Sequence, residues 1–192
     1  MAELLIAVLT TVACVYGTSA VTKLSGRRAY RSYRDGLGDT ALVPAHLLPA
    51  AASALAVGEA VVAAGLVTAA ILTAAALPGA VTVATVGLGG AALLTGILVT
   101  GVAVIMSRGT QARCACFGAA TSRPLGGSHL SRNLSLLAVI VVGLSGNEIA
   151  HGRPVPPGVA VAAAAGAVTG LLLVRLDDLI TVFTPVSRGS AG

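Results

Sequence analysis

The sequence predicts an all-α integral membrane protein, and three observations carry that reading. The 192-residue chain is 56% hydrophobic and 10% charged, with a mean hydropathy of +0.93. Soluble domains carry about 25% charge. The charges are also bunched, leaving apolar stretches long enough for a bilayer, which takes about 20 helical residues. Finally, the apolar residues are mostly Ala, Val, Leu and Gly, whose small side chains let helices pack closely in lipid. Codon bias is a competing source of the same composition. Aromatic residues are few, with three Tyr, two Phe and no Trp, so the interfacial belt is thin.

The first span is expected from Leu4 to Val21, with no charge after Glu3. A basic loop follows, holding Lys23, Arg27, Arg28, Arg31 and Arg34 with Asp35 and Asp39. Tyr30 and Tyr33 lie among these charges, as in a short helix on the membrane surface. The apolar run from Ala41 to Leu77 is too long for one straight span and too short for two. One long helix from Pro49 to Thr73 fits it, with Pro44 and Pro49 shaping its entry. Pro78-Gly79 then reads as a tight turn. The third span is expected from Val81 to Met106. A cysteine-bearing loop occupies Ser107 to Leu130. The fourth span is expected from Ser131 to Ser145, capped by Ser128 or Ser131. A polar loop with Asn147, Glu148, His151 and Arg153 leads to a fifth span, Val159 to Val174. Residues 1–176 thus form a single transmembrane domain, and 177–192 a C-terminal tail. Gly166-xxx-Gly170 fits the close-contact helix motif, but glycine is too common in this chain for the match to count heavily. Gly87-Leu88-Gly89-Gly90 lies in an apolar span and reads as packing, not as a nucleotide loop.

Alternate loops fall on opposite sides. Eleven of the twelve Lys and Arg collect on one side, and Arg153 stands alone on the other. The positive-inside rule then puts the N-terminus outside, with the cysteine loop and the C-terminus cytoplasmic. The net charge of +5 belongs to these juxtamembrane segments, which argues for contact with lipid and against nucleic-acid binding.

The chemistry concentrates at Cys114-Ala115-Cys116. Two thiols one residue apart can bond to each other or share a metal. Exchange chemistry needs an accessible thiolate and a nearby resolving thiol. Arg113 adjoins the pair and favours the thiolate form, as do Arg108 and Arg123. A Cys-x-Cys disulfide closes a small strained ring that is readily reduced. Metal binding by Cys114, Cys116 and His129 is the alternative, although zinc wants a fourth ligand and none is evident. Two incidental loop cysteines remain the plain reading. Cys14, inside the first span, reads as a small buried hydrophobe or as a relay thiol. Glu59 is the acidic residue well inside a span, so it needs a partner or a cavity. It is expected to be protonated, to pair with an arginine at another span's end, or to move protons. Arg132-Asn133 opens the fourth span, where positive charge opposes the helix dipole. That points to lipid headgroup contact or to holding the cysteine loop. His129, near the thiols, is a candidate for acid–base work.

The motif Cys114-Ala115-Cys116-Phe117-Gly118, with Arg132-Asn133 opening an apolar span, resembles the MauE family of methylamine-utilisation membrane proteins, related to the DoxX group. The resemblance extends over the first span with its basic exit and over Gly58-Glu59, covering about residues 4–145. It implies a four-helix membrane bundle of the DoxX or vitamin K epoxide reductase-like kind, here with a fifth helix. It also implies a redox role beside a thioredoxin-like, MauD-type partner that forms or transfers disulfides for methylamine dehydrogenase maturation. By motif position Cys114 and Cys116 are the redox pair. Arg132, Asn133 and Glu59 are shared features to which the resemblance assigns no role; structural or lipid-anchoring roles are expected of Arg113, Phe117, Gly118, Arg132 and Asn133, and a proton or charge role of Glu59.

The leading expectation is therefore a membrane thiol–disulfide oxidoreductase working with a thioredoxin-fold protein. Electrons would pass on to a quinone in the bundle or to Cys14. The second expectation is a non-catalytic membrane accessory or metal-handling protein. A cytoplasmic thiol pair conflicts with disulfide formation, because the cytosol keeps thiols reduced. The pair then exchanges electrons with the cytoplasm, or its loop folds back towards Cys14, or one span is miscounted.

Overall fold

A computed structural model describes residues 1–108, 127–147 and 154–176. Among them it contains six helices and no strand. They are α1 (Ala2–Leu24), α2 (Arg27–Asp39), α3 (Leu48–Ala74), α4 (Ala80–Ser107), α5 (Gly127–Asn147) and α6 (Pro156–Val174). All but α2 are long and apolar enough to cross a membrane, which bears out five spans in an all-helical membrane protein. Each predicted span falls inside its helix. The main shifts are at α1, which runs on through Lys23, and at α5, which already includes Gly127. Ser128 and Ser131, expected as caps, both lie within α5.

α1, α3, α4 and α5 close into a ring: α1 touches α3 and α5, and α4 touches the same two from the other side. α6 docks against α1 from outside this four-helix bundle. α1 is therefore the hub, with 61% of its span buried against 17–33% for the others. Leu9 and Val12 of α1 meet Leu66, Leu88 and Ile140 of the other three helices in a fully buried core. Lipid tails are as apolar as these side chains, so close packing and hydrogen bonds, not escape from water, hold such a bundle. Gly87 and Gly90 supply the fit between α3 and α4: a Cβ there would come 3.2 Å from Leu66 and 3.1 Å from Val62. The Tyr16 hydroxyl adds a bond across the core, donating to the Ala91 carbonyl at 2.8 Å and lying 2.7 Å from Thr95 Oγ1.

α6 runs parallel to α1, since Glu3, Ala7 and Cys14 meet Val155, Gly166 and Gly170 in the same order. Gly166-xxx-Gly170 is the contact itself. A Cβ on Gly170 would lie 2.7 Å from Cys14 Cβ and 2.9 Å from the Thr11 carbonyl oxygen. Thr11 Oγ1 donates to the Gly166 carbonyl at 3.0 Å. Glu3 accepts the Val155 N–H at 3.3 Å, placing a carboxylate at the N-terminus of α6 where the helix dipole favours it.

α3 ends in a Schellman motif. The Ala76 N–H reaches the Thr73 carbonyl and the Leu77 N–H reaches Leu72. The motif requires a left-handed residue, and here Ala76 takes it at φ 51°. Pro78 then turns the chain, and Gly79, left-handed at φ 84°, opens α4.

α2 lies across the end of the bundle with Tyr33 packed on Ala52 and Ala56 of α3. Arg27, Arg28 and Arg31 stay exposed. This is the surface helix the alternation of Tyr and Arg predicts.

Candidate functional site

The site grows from one sequence feature, a carboxylate inside a span. Glu59 sits eleven residues into α3 and is 3% exposed. Ser19 and Lys23 lie four residues apart on α1 and so share one face of that helix. Both point at Glu59. Lys23 Nζ donates to Oε1 at 2.5 Å and to Oε2 at 2.6 Å, and Ser19 Oγ donates to Oε2 at 2.9 Å. The Lys23 ammonium also stands 4.6 Å from the centre of the Tyr33 ring. Both carboxylate oxygens are thus engaged, and the lysine faces an aromatic π-cloud on its remaining side. Burial, with the Glu59 charge next to it, holds the Tyr33 phenol above its ordinary pKa.

This corrects two expectations. Lys23 belongs to α1, not to the basic loop. The partner of Glu59 is this lysine, not an arginine. A lysine in the last turn of a span ordinarily snorkels out to the interface. Lys23 instead turns inward, to 2% exposure, because the span opposite offers a buried anion. The clue was present: a lone intramembrane carboxylate, and a Ser/Lys pair at helical spacing at the end of the neighbouring span.

Beside the pair lies a cavity of about 260 Å³, bounded by α1, α2, the α2–α3 connection, α3, α4 and α5. Its polar wall includes Ser19, Lys23, Glu59, Tyr33, His129, Arg132 and Asn133. The rest of the lining is largely aliphatic, with Leu55, Leu98 and Val102 among it. His129, Arg132 and Asn133 are all buried within α5. Arg132 and Asn133 therefore sit inside the bundle, not at the lipid headgroups. Arg132 is near enough for its charge to act on Lys23. The structure brings Glu59, His129, Arg132 and Asn133 to one cavity, four residues the sequence picked out separately.

Cys14 is elsewhere. It is half-buried against Gly170 of α6. Nine residues separate it from Lys23, which is roughly 180° around a helix of 3.6 residues per turn. It therefore faces away from the cavity. Arg113, Cys114, Cys116, Phe117 and Gly118 lie outside the described residues. Among the described residues no group of three or more His, Cys, Asp or Glu could hold a metal.

A model of the methylamine utilisation protein MauE family matches residues 1–146. The chain belongs to this family. No curated protein and no solved structure matches it. The MauE match takes in α1 to α4 and nearly all of α5, which is the whole four-helix bundle and its cavity. α6 lies beyond it. The family is associated with methylamine utilisation, and five candidate spans make this MauE member a multi-pass membrane protein.

Proposed function

We propose that this MauE protein is a membrane thiol–disulfide oxidoreductase whose working pair is Cys114 and Cys116. One thiolate attacks a disulfide of a thioredoxin-fold partner, forming a mixed disulfide and releasing one partner thiol. The second thiolate resolves it, so two electrons pass to the partner and the pair closes into its own disulfide. Run backwards, the same steps oxidise the partner.

One observation supports this reading above the rest. The segment bearing the cysteines joins the end of α4 to the start of α5, and both ends border the cavity through Ile105 and His129. Cys114 follows Arg108 by six residues, a tether of at most about 22 Å at 3.3–3.6 Å per residue. A tether of that length lets Cys114 reach the end of the bundle where Lys23, Glu59 and Arg132 are buried, which supports the reading. Lys23 and Arg132 are internal, so the charge bias becomes nine Lys and Arg against Arg153. That bias still favours a cytoplasmic cysteine loop.

The test is mixed-disulfide trapping from native membranes. Cys114→Ser or Cys116→Ser should trap a thioredoxin-fold protein through the remaining thiol. Cys14→Ala should leave trapping intact, since Cys14 faces α6. If neither serine variant traps anything and the protein carries stoichiometric metal, the exchange reading fails and the metal-handling one takes its place. A membrane-impermeant thiol reagent applied to intact and lysed cells reads the side of the loop.

A further inference from the structure

The outer side of α2 is a charged surface apart from the cavity. Arg27, Arg28 and Arg31 stand exposed on it. Arg34 pairs with its neighbour Asp35 at 2.9 Å, but among the described residues none forms an ion pair with the other three. Their placement does nothing for the helix. α2 has no acidic residue in its first turn and no basic one in its last, whereas the helix dipole favours the opposite order. Three cations gathered against that preference, and left unpaired, point to an anion from outside the chain.

Geometry separates two sources of that anion. α1 ends one residue beyond Lys23, whereas α3 begins eleven residues before Glu59. Lys23 and Glu59 meet, so α3 rises roughly 16 Å above the end of α1 at 1.5 Å per residue. α2 fills this step, lying over the end of α1 with Tyr33 on Ala52 and Ala56. Its inner side faces the cavity through Tyr33 and Leu37. At about 100° per residue, the three arginines are centred about 150° round the helix from those two residues. They therefore point off the end of the bundle into water. Lipid headgroups surround the sides of a bundle, not its end.

The same end carries the cysteine segment. The chain after α2 packs Leu42 against Val102 and Ile105 of α4 and Leu130 of α5, the two helices that the segment joins. One protein body can span both places. Thirteen residues make α2 about 20 Å long. A domain of about 100 residues has a radius of gyration of about 13 Å and so is roughly 34 Å across, enough to cover α2 while presenting a disulfide to Cys114.

We propose that the arginine face of α2 is the docking surface for the exchange partner, and that the partner carries an acidic patch beside its disulfide. This rests on the thiol–disulfide reading of Cys114 and Cys116. Attack on the disulfide needs the two bodies held together, and opposite charges raise the rate at which they meet.

The probes are two short peptides, one rich in glutamate and one with glutamine in its place, each bearing a single cysteine as its thiopyridyl disulfide. Reduced full-length protein with Cys14→Ala, in phosphatidylcholine nanodiscs, is mixed with each. A loop thiolate attacks the peptide sulfur and releases pyridine-2-thione. The second loop thiol then releases the peptide as its thiol and closes the loop disulfide. Two electrons and two protons thus pass from the dithiol to the probe. Thione release is scaled to each peptide's reaction with 2-mercaptoethanol, and the readout is the ratio between peptides. The glutamate peptide should react about tenfold faster at low salt. The ratio should fall towards one at about 1 M salt, where charges are screened beyond about 3 Å. Arg27→Gln, Arg28→Gln and Arg31→Gln together should abolish the advantage at low salt too, whereas Arg27→Lys, Arg28→Lys and Arg31→Lys together should keep it.

Equal rates on the native chain would overturn the docking surface and leave the thiol reading standing. So would an advantage that survives the glutamine substitutions, since the arginines of the cysteine segment would then be the acidic contact. No thione release from either peptide would overturn both ideas. Discs cut directly from cell membranes test the other occupants. Anionic phospholipid retained by the native chain and lost with the glutamine substitutions would overturn the proposal in favour of a lipid surface. A dimer lost with the same substitutions would overturn it in favour of a second copy, with Asp35 and Asp39 as the anions.

Discussion

Removing one member of the Lys23–Glu59 pair tests how the bundle is held. Lys23→Met leaves a carboxylate at 3% exposure with the Ser19 hydroxyl as its hydrogen-bond donor. Glu59→Met leaves an ammonium at 2% exposure with the Tyr33 ring at 4.6 Å. Stripping one partner from a buried ion pair costs about 3–5 kcal/mol. A cation–π contact recovers about 0.5–2 kcal/mol, so Glu59→Met should be the milder of the two. In the double variant no charge is stranded. Methionine is unbranched and apolar and fills either stem's space, and Ser19 can turn back to the carbonyl four residues earlier. Thr10 and Thr11 already bond in that way, at little cost. The double variant should therefore lose only about 1–2 kcal/mol, giving a coupling energy of at least about 2 kcal/mol in a double-mutant cycle. The measurement is reversible unfolding in mixed micelles for all four chains. If the double variant loses the sum of the two singles, Lys23 and Glu59 act independently and the paired-charge account of the site is wrong.

Three further outcomes follow from other parts of the fold. Gly170→Val forces side-chain atoms into Cys14 Cβ and the Thr11 carbonyl; α6 should undock while the four-helix bundle stays folded, seen as new protease cleavage between α5 and α6 with most helical signal kept. Ala76→Gly should stabilise the chain by about 0.5–1 kcal/mol, because glycine takes the left-handed position without steric cost; unfolding midpoints of the two chains decide it. The Tyr33 phenol is held above its ordinary pKa, so the stability it contributes is complete below about pH 10 and falls as pH rises through its folded value. Tyr33→Phe should lose less stability than the native chain over that alkaline range, read by unfolding at stepped pH.

Much of the architecture was legible in the residues. Span count and span positions follow from runs of Ala, Val and Leu broken by charge, since lipid admits only satisfied backbone and helices satisfy their own. The surface helix α2 was legible from Tyr30 and Tyr33 among arginines. The ends of α1 and α5 were not, because charged residues there looked like loop. Lys23, His129 and Arg132 continue their helices inward, a choice that depends on what the opposite helix offers. Gly166-xxx-Gly170 illustrates the same limit, for in a chain with 24 glycines the motif gains meaning only once α1 is seen against it.

The sequence by itself determined the membrane class, the five spans and the family, because hydropathy and a short motif are local properties. Only the tertiary structure decided that Lys23 answers Glu59, that Asn133 lines the same cavity, and that Cys14 turns away towards α6. Those facts depend on how four helices are rotated about their axes. Residues at the same depth in a bilayer look alike in a linear reading, and rotation sorts them into lipid, core and cavity.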